Sequence, residues 1–459
     1  MAGAADQEYD VVILGGGSGG YACALRSAEL GLSVALVEKD LLGGTCLHRG
    51  CIPTKALIHA AEVADSARES EAFGVRATFD SIDMAGVNKY KDGVIGRLYK
   101  GLQGLVKSRK VELVQGTGRL VAKNAVEVDG RRYTGKNVVL ASGSYSRSLP
   151  GLEVGGRVIT SEQALQLDSV PKSVVVLGGG VIGVEFASVW KSFGADVTIV
   201  EALPRLVPLE DEAASKALER AFRKRGIKFS LGVRFKGAEQ NDSGVVVTLE
   251  DGKTIEADLL LVAVGRGPNT AGLGYEEQGV SMDRGFVLTD ERLRTNVEGV
   301  RAVGDIVPGL QLAHRGFQQG IFVAEDIAGL NPAVIDETGI PKVTYSEPEV
   351  ASVGLTEAKA REKYGDVDVV EYNLGGNGRS QIIGTAGFVK LVRQKDGPVV
   401  GVHMVGSRMG EQVGEAQLIV NWEAFPEDVA NLVHAHPTQN EALGEAHLAL
   451  AGKPLHSHS

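Results

Sequence analysis

The sequence predicts an α/β chain in which one β-turn-α-β unit occurs twice, followed by a C-terminal α+β domain. Three observations carry that expectation. A short apolar run ending in a glycine-rich turn appears near residue 14 and again near residue 177. Each copy ends on a carboxylate about 18 residues after its last glycine, Glu38 in the first and Glu201 in the second. Beyond Val343 the pattern changes to alternating strands such as Gly387 to Val392 and Val399 to Val405, then long helical stretches. At 459 residues the chain exceeds what one hydrophobic core usually supports.

In the first copy Val11 to Leu14 reads as a strand, and Gly15-Gly16-Gly17-Ser18-Gly19-Gly20 as the turn. Ala22 to Leu30 has helical spacing, Gly31 stops it, and Ser33 to Val37 is the next strand. Gly15 allows a tight turn, Gly17 lets backbone approach a pyrophosphate, and Gly20 completes the spacing that opens the helix. The helix N-terminus offers unpaired N–H groups to phosphate, and Glu38 would accept from ribose hydroxyls. In the second copy Ser173 to Leu177 leads into Gly178-Gly179-Gly180-Val181-Ile182-Gly183, a helix to Phe193, and a strand Asp196 to Val200. Both units are Rossmann-like, and each is expected to own a dinucleotide. Glu201 repels a 2′-phosphate and so favours NAD, while the neighbouring Arg205 leaves NADP open. A glycine-rich turn with no ligand is the plain alternative for either copy.

Past Gly265, Thr295 to Asp305 reads as a strand that re-enters the first sheet, and Asn331 to Pro341 as a linker rich in turn residues. Composition is that of a globular chain, 43% hydrophobic and 23% charged. The net charge of −10 with no basic run gives no footprint for nucleic acid or an anionic membrane. No apolar run reaches the length of a membrane span. Met1 to Asp10 has no leader pattern, so a cytoplasmic chain is expected.

Two of the three cysteines, Cys46 and Cys51, form a close pair, which in a reducing compartment points to catalysis or a metal. No second ligand pair with zinc spacing follows, so no metal is expected. Residues five apart in a regular helix have Cα atoms about 8–9 Å apart, and a disulfide needs less than about 7 Å. If the two bond, the segment must be distorted, and Gly50 is placed to permit it. A strained bond suits redox exchange better than stapling, although a static cross-link or two buried thiols would also fit. Cys23 reads as a small core residue. Near the C-terminus, Pro437 can start a helix that points Glu441 back at His436, giving a base with an orienting acid. As a bare pattern it is weak, since an exposed histidine beside a helix start is common. His434 reads as a solvated or core residue, and His456 and His458 as part of a flexible tail.

Together these residues resemble the pyridine nucleotide-disulfide oxidoreductases, and within them the dihydrolipoamide dehydrogenase branch, over essentially the whole chain. GGTCLHRGCIPTK at 43–55 resembles the redox-disulfide motif, HAHPTQNEA at 434–442 the His-Glu motif, and Thr295 to Asp305 the second FAD fingerprint. The resemblance implies FAD and NAD as cofactors and four domains: FAD-binding at 1–150, NAD-binding at 151–270, central at 271–342, and interface at 343–459. It implies a homodimer in which His436 and Glu441 complete the partner's site. Cys46 would exchange with substrate and Cys51 would face the flavin, with Lys55 near the reactive nitrogen and paired with Glu185. Gly44, Thr45, Gly118, Ser142, Gly143, Ser144, Asp305 and Ala313 would join the FAD site, and Val181, Ile182, Val233 and Gly265 the NAD site.

The implied reaction is oxidation of dihydrolipoamide by NAD within 2-oxo acid dehydrogenase complexes, with a lipoyl-bearing acyltransferase or lipoyl carrier protein as partner. The chain departs from the pattern at Ser142 for threonine, Arg301 for an aromatic residue, and His48-Arg49 for Asn-Val. The last change, beside the cysteines, puts disulfide potential and substrate entry in doubt. Rival readings are a reductase of another disulfide or of mercuric ion, and a non-catalytic FAD-bound assembly subunit. The first is weakened by Glu201 and by the lack of a C-terminal cysteine pair.

Overall fold

The computed structural model describes residues 7–456, so most of the leader expectation at Met1 to Asp10, and His458, lie outside them. The described chain forms two compact units. One comprises the N-terminal segment ending at Ala56 with Ala85–Arg147 and Gly265–Ile335. The other comprises Leu57–Met84, Ser148–Val264 and the chain from Asp336 onward.

In the first unit, Gln7–Leu14 is the central parallel strand, flanked by Val34–Glu38 and by Arg131–Leu140. Val34–Glu38 is buried along its whole length, as expected for a parallel strand covered on both faces. Glu112–Gln115 extends one edge; Ala125–Val128 and Gly118–Ala122 add an antiparallel hairpin at the other. The expected re-entrant strand is present but short. Val300–Ala302 pairs in parallel with residues 138–140, and Gly304–Ile306 is already a helical turn. The helix Ser18–Glu29 packs Cys23, fully buried, into the core of this sheet, which bears out its reading as a core residue.

In the second unit, Ser173–Leu177 and Asp196–Glu201 lie at the centre of a five-stranded parallel sheet with Lys228–Leu231, Leu259–Val262 and Val158–Thr160. Three antiparallel strands between 235 and 257 form a separate small sheet. The C-terminal part is a five-stranded antiparallel sheet, ordered 342–344, 349–354, 399–406, 388–394, 367–373, against which Met409–Asn421 and Glu441–Leu450 pack. The strands 388–394 and 399–406 are buried along almost their whole length, and alternate residues such as Val389 and Leu391 or Val402 and Met404 join the core with those helices, the α+β arrangement expected from the sequence.

Candidate active site

Gly15, Gly17 and Gly20 are glycine for different reasons. A β-carbon on Gly15 would lie 2.2 Å from the Ala141 carbonyl oxygen, and one on Gly20 would lie 1.8 Å from that of Gly15. These two let strand, turn and helix close on one another. A β-carbon on Gly17 would meet nothing within 4 Å, and its φ of −73° and ψ of −171° suit any residue. No neighbour among the described residues calls for glycine there, and the space left open at the helix N-terminus would admit a pyrophosphate. The second loop repeats the pattern. Gly178 and Gly183 would meet the Ala263 and Gly178 carbonyl oxygens at 2.3 and 1.9 Å, and Gly180, at φ −77° and ψ −174°, would meet nothing within 4 Å. Val181 and Ile182 supply the first amides of the helix Val181–Phe193.

Each acidic residue is oriented by its own loop. Glu38 accepts from the amides of Gly16 at 2.7 Å and Asp40 at 2.8 Å. Glu201 accepts from those of Gly179 at 2.6 Å and Leu203 at 2.7 Å. Val233 stands beside it, its amide donating to the Glu201 carbonyl at 3.2 Å. Arg205 donates to the carbonyls of Pro208 and Glu210 at 2.9 and 3.3 Å.

The sulfur segment rests on the first loop. Gly43 and Gly44 both have positive φ, +106° and +61°, and a β-carbon on Gly44 would lie 2.7 Å from the Gly17 Cα. The expected distortion is a break. Thr45 and Cys46 lie in the short helix Gly44–His48, the backbone departs from helix at Arg49, and Cys51 opens the long helix Cys51–Glu69. Gly50 sits within the break, where a β-carbon would approach the Thr45 carbonyl to 3.1 Å. Cys46 and Cys51 are thiols that share a side-chain hydrogen bond. That bond, with burial and the neighbouring sulfur's charge, pushes the Cys46 thiol well above the usual range, against the pull of Lys55. Tyr21 is pushed up to about 12 by burial, with the two sulfurs adding to the rise. His48 binds the Leu42 carbonyl at 2.9 Å and meets the Tyr99 ring edge-on, and Arg49 pairs with Asp40. The unusual dipeptide therefore ties the sulfur helix to the chain after Glu38.

Around the other expected FAD contacts, the Ser144 hydroxyl donates to Asp305 and accepts from Arg266 at 2.8 Å. Ser142 accepts from the buried Tyr275 hydroxyl at 2.9 Å, and the carbonyl of Gly143, at φ +76°, accepts from Asn269. Gly304 donates to the buried Gln319 side chain, and Ala313 opens the helix Ala313–Ile327. Gly118 is explained by packing, since a β-carbon would lie 2.5 Å from a Leu14 methyl. Gly265, at φ +106°, falls in the first unit, and its carbonyl accepts from Arg147. Arg301, standing where an aromatic residue was expected, pairs with Asp326 at 2.6 Å.

In the second unit, Glu185 is buried and accepts from the Tyr345 amide at 2.9 Å. His436 Nδ1 lies 2.8 Å from Glu441, whose other oxygen accepts from the Thr438 amide at 2.7 Å. The helix does not begin at Pro437 as the sequence suggested. The His436–Pro437 peptide is cis, and Glu441 is itself the first helical residue, placed one turn from the imidazole. Burial disfavours the Glu441 charge, but the Thr438 amide and His436 outweigh it and hold the carboxyl below its ordinary range. With its side chain 78% exposed, His436 is open to an incoming group.

His434 is neither solvated nor a bare core residue. It is an ion-pair partner of Glu415 at 2.8 Å, and Glu415 also accepts from Asn440. His456 is bound to Glu445 at 2.8 Å rather than lying in a loose tail. Glu415, Arg266, Gln319 and Tyr21 escaped sequence reasoning because each works through a distant partner. Among the described residues no three His, Cys, Asp or Glu side chains are grouped to hold a metal, and no helix is long and apolar enough to cross a membrane.

Residues 9–320 match the family model described as pyridine nucleotide-disulphide oxidoreductase, and residues 340–447 match its dimerisation domain. A dihydrolipoyl dehydrogenase of Bacillus subtilis is 40% identical, covering 98% of this chain and 99% of the relative. The mitochondrial dihydrolipoyl dehydrogenase of Pisum sativum is 39% identical over 98% and 93%. Among solved structures, LpdA from Mycobacterium tuberculosis superposes with a TM-score of 0.90 at 26% identity, covering 96% of this chain and 99% of that one. The flavoprotein disulfide reductase RclA from Escherichia coli follows at 0.87 and 25%, covering 97% and 100%.

Proposed function

The chain belongs to the pyridine nucleotide-disulphide oxidoreductase family, and from that premise we propose that it oxidises dihydrolipoamide to lipoamide while reducing NAD. The observation that carries this reading is the broken helix that brings Cys46 and Cys51 into hydrogen-bond contact against the first glycine loop. Bound there, FAD would take up the dithiol's electron pair and release it as hydride to NAD.

The chain's own residues handle the protons and sulfurs. In the reduced pair the Cys51 hydrogen bond and burial keep the Cys46 thiol protonated, so the pair offers no base to the incoming dithiol. His436, oriented by Glu441, takes the proton from a thiol of dihydrolipoamide, acting in the homodimer on the partner's sulfurs. The resulting thiolate attacks the Cys46 sulfur of the oxidised pair, the Cys46–Cys51 bond breaks, and Cys51 leaves as thiolate. The second substrate thiol then displaces Cys46, which closes lipoamide and leaves the enzyme's two cysteines reduced.

Lys55, one turn after Cys51, and the buried Glu185 are assigned as the pair beside the flavin. FAD contacts are Gly15, Gly17, Gly20, Glu38, Gly44, Thr45, Gly118, Ser142, Gly143, Ser144, Asp305 and Ala313. NAD contacts are Gly178, Gly180, Val181, Ile182, Gly183, Glu201, Val233 and Gly265. The four domains at 1–150, 151–270, 271–342 and 343–459 follow the same assignment. The lipoyl arm would come from an acyltransferase or a lipoyl carrier protein in the cytoplasm.

Anaerobic titration with dihydrolipoamide should raise a long-wavelength thiolate-to-flavin band, and His436→Ala should slow the lipoamide half-reaction by about a hundredfold or more. Full lipoamide turnover in that variant would refute the role given to His436.

A further inference from the structure

The chain after Glu201 is bound to the second glycine loop from behind. Val207 donates its amide to the Gly179 carbonyl at 2.8 Å, and Leu206, fully buried, packs where a β-carbon on Gly179 would lie only 2.8 Å away. Val207 does this at φ +41°, a left-handed conformation that is strained for a buried β-branched residue. Such a conformation persists only where its surroundings over-determine it.

The next residues supply that constraint. Glu210, buried, accepts from Ser352 at 2.5 Å and pairs with Lys342 at 3.2 Å. Asp211, also buried, pairs with Lys390 at 2.8 Å and accepts from the amides of Ala213 and Glu357, both at 3.0 Å. Lys390 pairs in turn with Glu357 at 2.8 Å. Arg205 is drawn into the same turn, its guanidinium held on the Pro208 and Glu210 carbonyls.

We propose that residues 205–211 are a strap that sets the geometry of the second glycine loop, with Val207, Glu210 and Asp211 as positioning residues for NAD. The inference rests on the assignment of NAD to that loop. None of the three needs to touch the nucleotide. They fix the loop and Glu201, which do, and so they govern how tightly NAD is held rather than the sulfur chemistry.

The test uses the flavin-loaded, full-length homodimer and reads four quantities: the KM for NAD, the Kd for NADH, single-turnover reduction by dihydrolipoamide, and melting temperature. Asp211→Asn and Glu210→Gln should each raise KM and Kd about tenfold with dithiol reduction unchanged. If Asp211→Asn and Glu210→Gln lower the melting temperature but keep the wild-type KM and Kd, the strap is merely structural. Should the carboxylate variants fail to fold, Leu206→Ala, which disturbs no charge but removes the side chain that covers Gly179, decides, and an unchanged KM overturns the proposal. Glu201→Gln separates the two levels, since an unchanged KM there would refute the NAD assignment itself.

Discussion

The two glycine loops share one plan and differ in what holds them. In each, a carboxylate at the end of the second strand binds the middle glycine's amide and the amide two residues beyond itself. In each a leucine, Leu42 or Leu206, covers that glycine, and the next residue donates its amide to the glycine's carbonyl at 2.8 Å. That next residue is Gly43 at φ +106° in the first loop and Val207 at φ +41° in the second. The first loop closes under the sulfur helix, tied by His48 and by an Arg49–Asp40 pair that is nearly half exposed. The second is closed by buried charges. Strain at a non-glycine left-handed residue costs about 1–3 kcal/mol, and separating either buried carboxylate from its lysine would leave a buried charge uncompensated at about 3–5 kcal/mol, so the valine cannot relax by shifting the residues that follow it. On the proposed assignment, a resident flavin would help order the first loop, whereas a coenzyme that comes and goes each turnover would meet a second loop that the protein has already stiffened.

The largest test of this parallel is Gly20→Ala set against Gly183→Ala. Their β-carbons would lie 1.8 and 1.9 Å from a carbonyl oxygen of their own turn, so each substitution forces its loop apart. Gly20→Ala should yield protein without flavin, read by visible absorbance after gel filtration. Gly183→Ala should keep the flavin and its reduction by dihydrolipoamide but lose NAD turnover. Loss of flavin in both would show that the two loops do not fold independently.

A finer test is Gly17→Ala against Gly180→Ala. Neither β-carbon meets anything within 4 Å and both backbones suit alanine, so stability should shift by no more than about 0.5 kcal/mol. Only the ligand should notice. Gly17→Ala should lower flavin occupancy, and Gly180→Ala should raise the KM for NAD by about ten- to a hundredfold. Unchanged binding in both would remove the reason given for glycine at these positions.

The parts of this arrangement that were legible in the sequence are those whose chemistry is local. Glycine spacing, the terminal Glu38 and Glu201, the break near Gly50 and the His436–Glu441 pair all sit within short stretches, and their physical requirements act over the same span. Strand ends shifted by a residue or so, as with Val34–Glu38 for Ser33 to Val37, because no side chain marks the last ladder bond. What stayed hidden joins residues far apart in the chain. Asp211 and Lys390 are 179 positions apart, Glu210 and Ser352 are 142 apart, and singly each reads as a solvated surface group. Val207 carries no sign of its backbone, since a β-branched residue predicts strand. Pro437 misled because proline suits a helix start, while here it follows a cis peptide and the helix waits until Glu441.

The smallest expected effect is on acid stability, and it singles out the strap. Burial pushes the Asp211 carboxyl up, but Lys390, His403 and the Glu357 amide outweigh it and hold its pKa at about 2. The unfolded carboxyl titrates near about 4, so the folded state binds this proton less readily than the unfolded one. The stabilisation is complete above about pH 4 and is lost as the pH falls toward 2. Between pH 6 and pH 3 the melting temperature of the holoenzyme should therefore fall by about 2 °C more than that of Asp211→Asn, so that the gap between the two is widest at pH 6 and narrows in acid. Because asparagine cannot gain this proton, equal falls for the two proteins would mean that the Asp211–Lys390 pair does not hold the strap in solution.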